Sequence, residues 1–152
     1  MLYLDCRMLQ GSGISTYLLN LIRELQSNNN QQKLNYLVHE YSRVISPPPD
    51  YSGQHRFQSK IYSVSEQIFY PSILRKKDVL HVPHYNVPLR FPGKLIVTVH
   101  DLCHLVMKEF FKGPAKRLYS SIFLGQVLEK AKRIITVSNF TKSEILKYFP
   151  VD

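Results

Sequence analysis

The sequence predicts an α/β fold in which a parallel β-sheet carries helices on both faces. Short apolar segments alternate along the chain with longer segments of helical periodicity, as in strand–helix–strand units. The most apolar segment, residues 95–99, is too short for a helix and rich in β-branched side chains. Such a segment is typical of a central parallel strand that is covered on both sides.

The composition limits the size and setting of the protein. We expect residues 1–152 to form one domain, because 152 residues suffice for a single hydrophobic core. The hydrophobic fraction of 44% argues against disorder, and the net charge of +9 favours an anionic partner. Cys6 and Cys103 lack a disulfide-type spacing, which favours a reduced, cytoplasmic setting. Charges follow Met1 too soon for a signal peptide, and no apolar segment is long enough to cross a bilayer.

The first predicted unit is a strand, a glycine turn and a helix. The strand covers residues 1–9, the turn is Gly11-Ser12-Gly13, and apolar residues at helical spacing predict a helix over 14–25. Glycines let a ligand approach the backbone, and the start of a helix presents unpaired N–H groups. The turn is therefore a candidate anion or diphosphate site, although a purely structural turn would have the same sequence.

Shorter elements are predicted in the middle of the chain. Residues 34–39 form a second strand, and the prolines at 47–49 force a surface loop. Weaker patterns predict an edge strand over 56–61, a helix over 65–74 with Ser65 as its N-cap and an interruption at Pro71, and a strand over 78–85 whose pairing stops at Pro83.

The last third of the chain predicts two helices and two strands. After the strand at 95–99, a helix over 115–132 is expected to bury Leu118, Ile122, Gly125 and Leu128. A strand over 133–137 is followed by a helix through Tyr148 with Ser138 or Thr141 as its N-cap, Glu144 at the capping-box distance from Thr141, and Pro150 at its end.

Candidate functional residues follow several of the predicted strands. The carboxyl ends of parallel strands meet at one edge of a sheet, where ligands bind in α/β proteins. We therefore expect His100 and Asp101, at the end of the most apolar strand, to be catalytic. The binding residues expected beside them are Gly11, Ser12, Gly13, His84, Tyr85, Ser138 and Asn139. A histidine that only ends a strand and bonds a loop carbonyl is the structural alternative for His100.

Three motifs carry a resemblance to a known family. They are Arg7-Met8-Leu9 with Gly13-Ile14 and Tyr17, then Val99-His100-Asp101-Leu102, then Arg133-Ile134-Ile135-Thr136-Val137-Ser138 with Phe140, Lys142 and Glu144. In this order and spacing the chain resembles, over nearly its whole length, the N-terminal half of a retaining GT-B glycosyltransferase of family 4. The resemblance implies a Rossmann-like domain, one half of a GT-B fold. It also implies transfer of a sugar, with retention, from a nucleoside-diphosphate sugar to a glycan or lipid-linked acceptor, with no cofactor or obligatory metal.

The resemblance also implies roles for individual residues. His100 would contact the donor sugar and help stabilise developing charge, and Gly11 and Gly13 would lie near the donor diphosphate. Ser15 and Thr16 stand where the family often has glycine and a basic residue. The family's C-terminal nucleotide-binding domain has no counterpart in the sequence. We therefore expect activity to require such a domain, in cis or in trans.

Individual features of the sequence also suit two other classes of function. Metal ligands are available in His81, His84, His100, Asp101, Cys103 and His104, but they offer no convincing three-ligand geometry, so we predict no metal. The basic residues are scattered apart from Arg75-Lys76-Lys77 and no nucleic-acid motif occurs, so we predict no nucleic-acid partner. A metal-binding or nucleic-acid-binding α/β domain remains the alternative function.

The charge also suits an acidic membrane that carries a lipid-linked acceptor. Lys108, Phe110, Phe111 and Lys112 combine basic and apolar groups and are a candidate peripheral contact on the inner face of the membrane. The alternative is that the two phenylalanines pack under the next helix.

Overall fold

The computed structural model describes residues 1–9, 13–27, 34–39, 53–61, 63–103 and 114–151. The strands are β1 (Leu2–Asp5), β2 (Leu34–Val38), β3 (Gln54–Arg56), β4 (Val79–Val82), β5 (Lys94–Val99) and β6 (Arg133–Thr136). The helices are α1 (Gly13–Ser27), α2 (Val64–Ile68), α3 (Pro114–Lys130) and α4 (Asn139–Tyr148). None of these described helices has both the length and the hydrophobicity that crossing a bilayer requires.

The strands form one sheet in which every described pair is parallel, in the order β3-β2-β1-β4-β5-β6. β1 lies between β2 and β4, with Leu2 opposite both Leu34 and Val79. The chain thus builds outward to β3 and then returns to the other side of β1. This reversal leaves a crevice beyond the ends of β1 and β4, which is where open α/β sheets bind ligands. The predicted Rossmann-like α/β class is confirmed.

Two apolar cores separate the helices onto opposite faces of the sheet. On one face, Leu4, Tyr36 and Val38 of the strands pack against Leu18 of α1. The predicted face of α1 joins this core through Ile14, Tyr17, Leu21 and Ile22. On the other face, the core contains Leu80, Val82, Leu95, Val97 and Val99 of the sheet with Leu124 and Val127 of α3 and Ile145 of α4. In β1 and β2, alternate residues therefore serve opposite cores, since Tyr3 and Leu37 belong to the second core.

β1 is shorter than the predicted strand over residues 1–9. Cys6 still donates its N–H to the Leu37 carbonyl, at 2.8 Å, but Leu9 donates to the Cys6 carbonyl in a turn. Arg7 folds back so that its N–H lies 3.1 Å from Oδ1 of Asp5. The backbone hydrogen bonds of β1 end here because the Arg7 N–H is bonded to Asp5 of the same strand.

β3 and α2 also differ from the prediction. The edge strand covers Gln54–Arg56 rather than 56–61, since these residues pair with Tyr36, Leu37 and Val38. α2 begins one residue before Ser65, and the N-cap is Ser63, whose Oγ accepts the Glu66 N–H at 3.2 Å. The helix ends at Ile68, before Pro71, so the predicted extension to residue 74 was wrong.

α3 buries only part of the predicted stripe. Leu118 and Ile122 are 64% and 54% exposed, whereas Phe123, Leu124, Val127 and Leu128 are buried. An ideal Cβ on Gly125 would lie 3.7 Å from the Phe149 ring. Gly125 and Leu128, in the second half of the predicted stripe, thus face the core, whereas the expectation for Leu118 and Ile122 was wrong.

β4, β5, β6 and α4 occur near their predicted positions. β4 is shorter than the predicted 78–85 and stops before Pro83, as that proline predicts. The N-cap of α4 is Ser138, whose Oγ accepts the Thr141 N–H at 3.1 Å. The alternative cap at Thr141 with Glu144 in a capping box is therefore wrong, and Thr141 is buried.

Candidate functional site at the strand ends

The carboxyl ends of the strands form one edge of the sheet, which we call the strand-end rim. β4 delivers His84 to it, β5 delivers His100, and β6 delivers Ser138. α1 begins at Gly13, shortly after β1, and so starts at the same edge. The expected convergence of several segments follows from the parallel topology.

His100 is held at the rim by three segments of the chain. Its Nε2 lies 2.9 Å from the Pro83 carbonyl oxygen, and a carbonyl can only accept, so Nε2 carries the hydrogen. The Tyr17 ring meets the imidazole edge to face at 5.1 Å. The hydroxyl of Thr141 donates to the His100 carbonyl at 3.0 Å. Pro83 and α1 thus contact the ring, α4 holds the backbone of the same residue, and Nδ1 is the ring nitrogen left without this hydrogen bond.

Tyr17, whose ring contacts His100, starts a chain of hydrogen bonds that leads into the interior of the sheet. The Tyr17 hydroxyl lies 3.1 Å from Oγ1 of Thr98, which lies 2.9 Å from Nε2 of His81. Thr98 is fully buried, and burial lowers the pKa of His81 to about 4. His81 is therefore neutral near pH 7 and acts as a hydrogen-bonding group rather than a cation.

The residues after β6 contact His100 indirectly. Ser138 caps α4 through Thr141, and the Oγ of Ser138 lies 3.1 Å from Oγ1 of Thr141. Because Thr141 also bonds the His100 carbonyl, the predicted residues His100 and Ser138 are joined through it. Asn139 is exposed in the first turn of the helix.

Asp101 lies beside His100 but is engaged in a local turn. Its Oδ1 accepts the Cys103 N–H at 3.0 Å, and both side chains are exposed. The Asp101 charge is the main cause that raises the pKa of the Cys103 thiol. Cys103 is therefore unsuited to be a thiolate ligand or nucleophile at neutral pH.

The glycine turn lies partly outside the described residues. Gly11 and Ser12 are not among them, whereas Gly13 is the first residue of α1. A Cβ added to Gly13 would meet no atom within 4 Å, so the position is open. The first turn of α1 carries no acidic side chain, which keeps its N–H groups available to an anion.

His84 and Tyr85 lie inside the rim rather than on its surface. His84 is 2% exposed, and its Nδ1 accepts the Asn86 N–H at 3.1 Å. Burial is the main cause that lowers the pKa of His84 to about 4. Tyr85 is half-buried and packs against the core. Both residues support the end of β4.

Sequence reasoning missed a buried charged group, which we call the Arg7 cluster: Asp5, Arg7 and Glu66, with His84 and Asn86 beside them. Arg7 donates to both oxygens of Asp5, with Nη2 at 2.6 Å from Oδ2, and also to Glu66. Its Nη1 lies 2.8 Å from the Ser59 carbonyl oxygen, and the Phe57 ring lies 3.8 Å from its Cζ. The guanidinium thus joins β1, the segment after β3, and α2.

The Arg7 cluster sets the charge state of its members. Burial favours neutral Asp5, but the charge and hydrogen bonds of Arg7 together outweigh it and lower the pKa of this carboxyl. For Arg7 burial acts in the opposite direction, yet the two carboxylates raise its pKa. Asp5 and Glu66 have fully buried side chains, so the guanidinium is their counter-ion. The adjacency of Arg7 to Asp5 was visible in the sequence; the partner 59 residues away was not.

The same group is the metal-like cluster found in the described part of the chain. Ligand atoms of Asp5, Glu66 and His84 lie within 4.8 Å of one another. Arg7 donates to both carboxylates, however, so a metal ion would have to displace a buried guanidinium. These residues therefore fit an internal ion pair better than a metal site. Of the other suggested ligands, His104 lies outside the described residues.

Comparison with known proteins then supplies the family. A family model described as Glycosyltransferase Family 4 matches residues 11–152. The chain belongs to glycosyltransferase family 4. Searches of curated proteins and of solved structures return no match.

The family 4 match covers most of the strand-end rim. It includes the glycine turn and the predicted residues after β4, β5 and β6. Arg7 and Asp5 precede it, so the Arg7 cluster is formed across its boundary. The chain is thus a glycosyltransferase-family N-terminal domain, and His100 and Ser138 are the predicted residues that its structure joins at the rim of a parallel sheet.

Proposed function

We propose that this domain contributes the acceptor side of a cytoplasmic enzyme that transfers a sugar from a nucleoside-diphosphate sugar to a glycan or lipid-linked acceptor. In the reaction the bond between the sugar and the diphosphate breaks, and a bond to an acceptor hydroxyl forms with retention. The observation that supports it is the position of His100 at the rim of a family 4 domain, held by Pro83, Tyr17 and Thr141.

His100 suits a positioning and charge-stabilising role. Its Nε2–H is committed to the Pro83 carbonyl, so Nδ1 is the ring nitrogen that remains for a sugar hydroxyl. The ring is fixed before the reaction by contacts from other segments. Preorganised polar groups of this kind stabilise developing charge without first having to reorient.

The start of α1 suits the leaving diphosphate. Gly13 is open, no carboxylate lies in the first turn, and helix N-termini attract anions. Ser15 is 8% exposed and faces the interior, so the departure from glycine at this position adds little bulk to the open side. Gly11 and Ser12 would complete the diphosphate contact.

The domain is proposed to act with a nucleotide-binding partner domain. The strand-end rim supplies an imidazole and the start of a helix. Its described residues include no cluster of exposed basic side chains that could bind a diphosphate. We expect the 152-residue chain alone to release no nucleoside diphosphate from donor sugars.

The test is a donor panel assayed by nucleoside-diphosphate release. The chain is assayed alone and joined to the C-terminal nucleotide-binding domain of a family 4 glycosyltransferase. We expect turnover only in the joined protein, and its loss by about a hundredfold or more in His100→Ala. The anomeric configuration of the product, read by NMR, tests retention.

The matched control is His39→Ala, at the end of β2 and on the same edge of the sheet. It should leave turnover within about twofold of the parent, because it lies on the far side of β1 from His100. Donor turnover by the isolated chain would contradict the need for a second domain. Full turnover in His100→Ala would contradict the assigned role.

A further inference from the structure

Tyr17 of α1 contacts the β5 segment at two points. Its hydroxyl oxygen lies 3.1 Å from Oγ1 of Thr98, and its ring meets the His100 imidazole edge to face, with the ring centres 5.1 Å apart. His100 follows β5 directly and is two residues from Thr98, a spacing at which strand residues point to the same side of a sheet. The hydroxyl bond therefore determines where the tyrosine ring lies against the imidazole.

The Tyr17 hydroxyl is a polar group on an otherwise apolar side of α1. The other residues that this helix adds to its core are apolar: Ile14, Leu18, Leu21 and Ile22. A phenylalanine at position 17 would supply the same ring, and a hydroxyl that leaves water needs a new hydrogen-bond partner. What the tyrosine adds to the packing of the helix is therefore its bond to Thr98.

Thr98 is a firm anchor for this bond. It is fully buried, and its Oγ1 also lies 2.9 Å from Nε2 of His81 in the neighbouring strand β4. A hydroxyl has one hydrogen and two lone pairs, so it can bond both partners at once. Because a β-branched side chain has few χ1 choices, the position of Oγ1 is set by the sheet. The Tyr17 hydroxyl is thus held by two adjacent strands.

Tyr17 also lies one turn from the start of α1. Gly13, the first residue of the helix, precedes it by four residues and therefore lies on the same side. The proposed function places the leaving diphosphate at this helix start and the sugar at His100. Because Tyr17 belongs to the helix and bonds β5, it connects these two parts of the proposed donor site.

We infer that Tyr17 is a positioning residue for sugar transfer: through its bond to Thr98 it orients the His100 imidazole and sets the spacing between that ring and the start of α1. The inference rests on the proposed function, and Tyr17 acts through His100 without touching the reacting atoms. Groups that act on a substrate must be held within about 0.5 Å of their productive positions, and the hydroxyl bond supplies this restraint.

The first test reads the His100 ring by NMR in the 152-residue chain, where its signals are assigned by their absence from His100→Ala. Tyr17→Phe keeps the aromatic ring and removes only the hydroxyl. We expect it to shift the His100 ring proton resonances, because the ring is no longer held against the imidazole. Thr98→Val removes the other hydroxyl and should shift the same resonances, whereas Thr98→Ser keeps a hydroxyl and should leave them near their parental positions.

The second test reads donor turnover in the joined protein. Tyr17→Phe should lower kcat about tenfold with little change in the donor KM, because it misplaces a group that acts in the transition state. In a protein that already carries His100→Ala, the same change should have no further effect. A residue that acts through His100 has nothing to position once the imidazole is gone, so the two losses are not additive.

The matched control is Tyr36→Phe. Tyr36 belongs to the same core, and its hydroxyl accepts a hydrogen bond from Nε2 of Gln26 at 3.1 Å. It lies on β2, which β1 and β4 separate from β5. This variant loses the same chemical group at a distance from His100, so its His100 resonances and turnover should equal those of the parent.

Two results would overturn the inference. They are parental His100 resonances or parental kcat in Tyr17→Phe, and an equal loss of turnover with and without His100→Ala, which is the result of general destabilisation. A joined protein that turns over no donor would instead contradict the proposed function. In that case, unshifted resonances in Tyr17→Phe would refute the orienting role as well, and shifted resonances would support it.

Discussion

The strand-end rim carries two polar sites that are held in opposite ways. The Arg7 cluster consists of buried charges that neutralise one another, whereas His100 is half-buried and held by neutral hydrogen bonds and a ring contact. The first site has its partners inside the protein. The second lies at the edge of the sheet where open α/β proteins bind ligands. The comparison assigns stability to the first and, under the proposed function, chemistry to the second.

The largest effect is expected from Arg7→Met. It leaves the carboxylates of Asp5 and Glu66 buried without their guanidinium, so the free energy of unfolding should fall by about 3–5 kcal/mol. Urea denaturation measures this change. A loss below about 1 kcal/mol would mean that water reaches the carboxylates and that the contrast with His100 fails.

A pH titration of stability should give the next largest effect. His81 and His84 have pKa values lowered to about 4 by burial, from an ordinary value of 6.5. The unfolded chain therefore binds protons that the folded chain does not, and stability falls as pH drops from 6.5 to 4. Each histidine contributes a slope of at most about 1.4 kcal/mol per pH unit.

A substitution can separate the contributions of His81 and His84 to this pH dependence. His81→Gln retains a side chain that can bond Thr98 and should remove about half of the slope in denaturation midpoints measured between pH 6.5 and 4. An unchanged slope would assign the effect to other groups. Below pH 3.8 the lowered pKa of Asp5 adds a further loss, since its stabilisation is present above that pH and disappears as the folded carboxyl is protonated.

His100→Ala should have a smaller effect on stability than Arg7→Met. It removes the bond to the Pro83 carbonyl and the contact with Tyr17, which predicts a loss of about 1–2 kcal/mol. The same denaturation series measures both variants. If His100→Ala were as destabilising as Arg7→Met, His100 would be a structural residue that ends a strand, as in the alternative given for it above.

The smallest effect is expected from Thr141→Val, which deletes the hydroxyl that donates to the His100 carbonyl. A loss of about 1 kcal/mol is expected, with Thr141→Ser as the control that keeps the hydroxyl. In the joined protein, Thr141→Val should reduce turnover more than Thr141→Ser does. Equal turnover in the two variants would show that this contact does not position His100.

The parts of the fold that sequence reasoning predicted are those governed by local pattern. Apolar alternation and spacing located β1, β2, β4, β5, β6 and α1 because each buries residues at its own period. The limits of β3 and α2 were wrong because pairing with β2 and the cap at Ser63 set them, and the local apolar pattern encodes neither. The stripe of α3 was wrong at Leu118 and Ile122 because apolar residues also occur at 123, 124 and 127, which are the ones that the core buries.

The candidate site shows the same division. His100 and Ser138 were predicted because each follows an apolar segment, and parallel topology brings such ends to one rim. Their link through Thr141 depends on the orientation of α4 relative to β5, which no local pattern encodes. Tyr17 was visible as a residue of the α1 core face, but not as the ring against His100.

The position of β1 has a consequence for how the chain folds during synthesis. Of the described strands, β1 is made first and can pair with β2 after about thirty residues, but its other neighbour, β4, begins 77 residues after Leu2. Those residues must therefore be made before the middle of the sheet is complete. Until then one side of β1 exposes unpaired backbone groups. A chaperone would therefore be most useful during the interval in which β1 has been made and β4 has not.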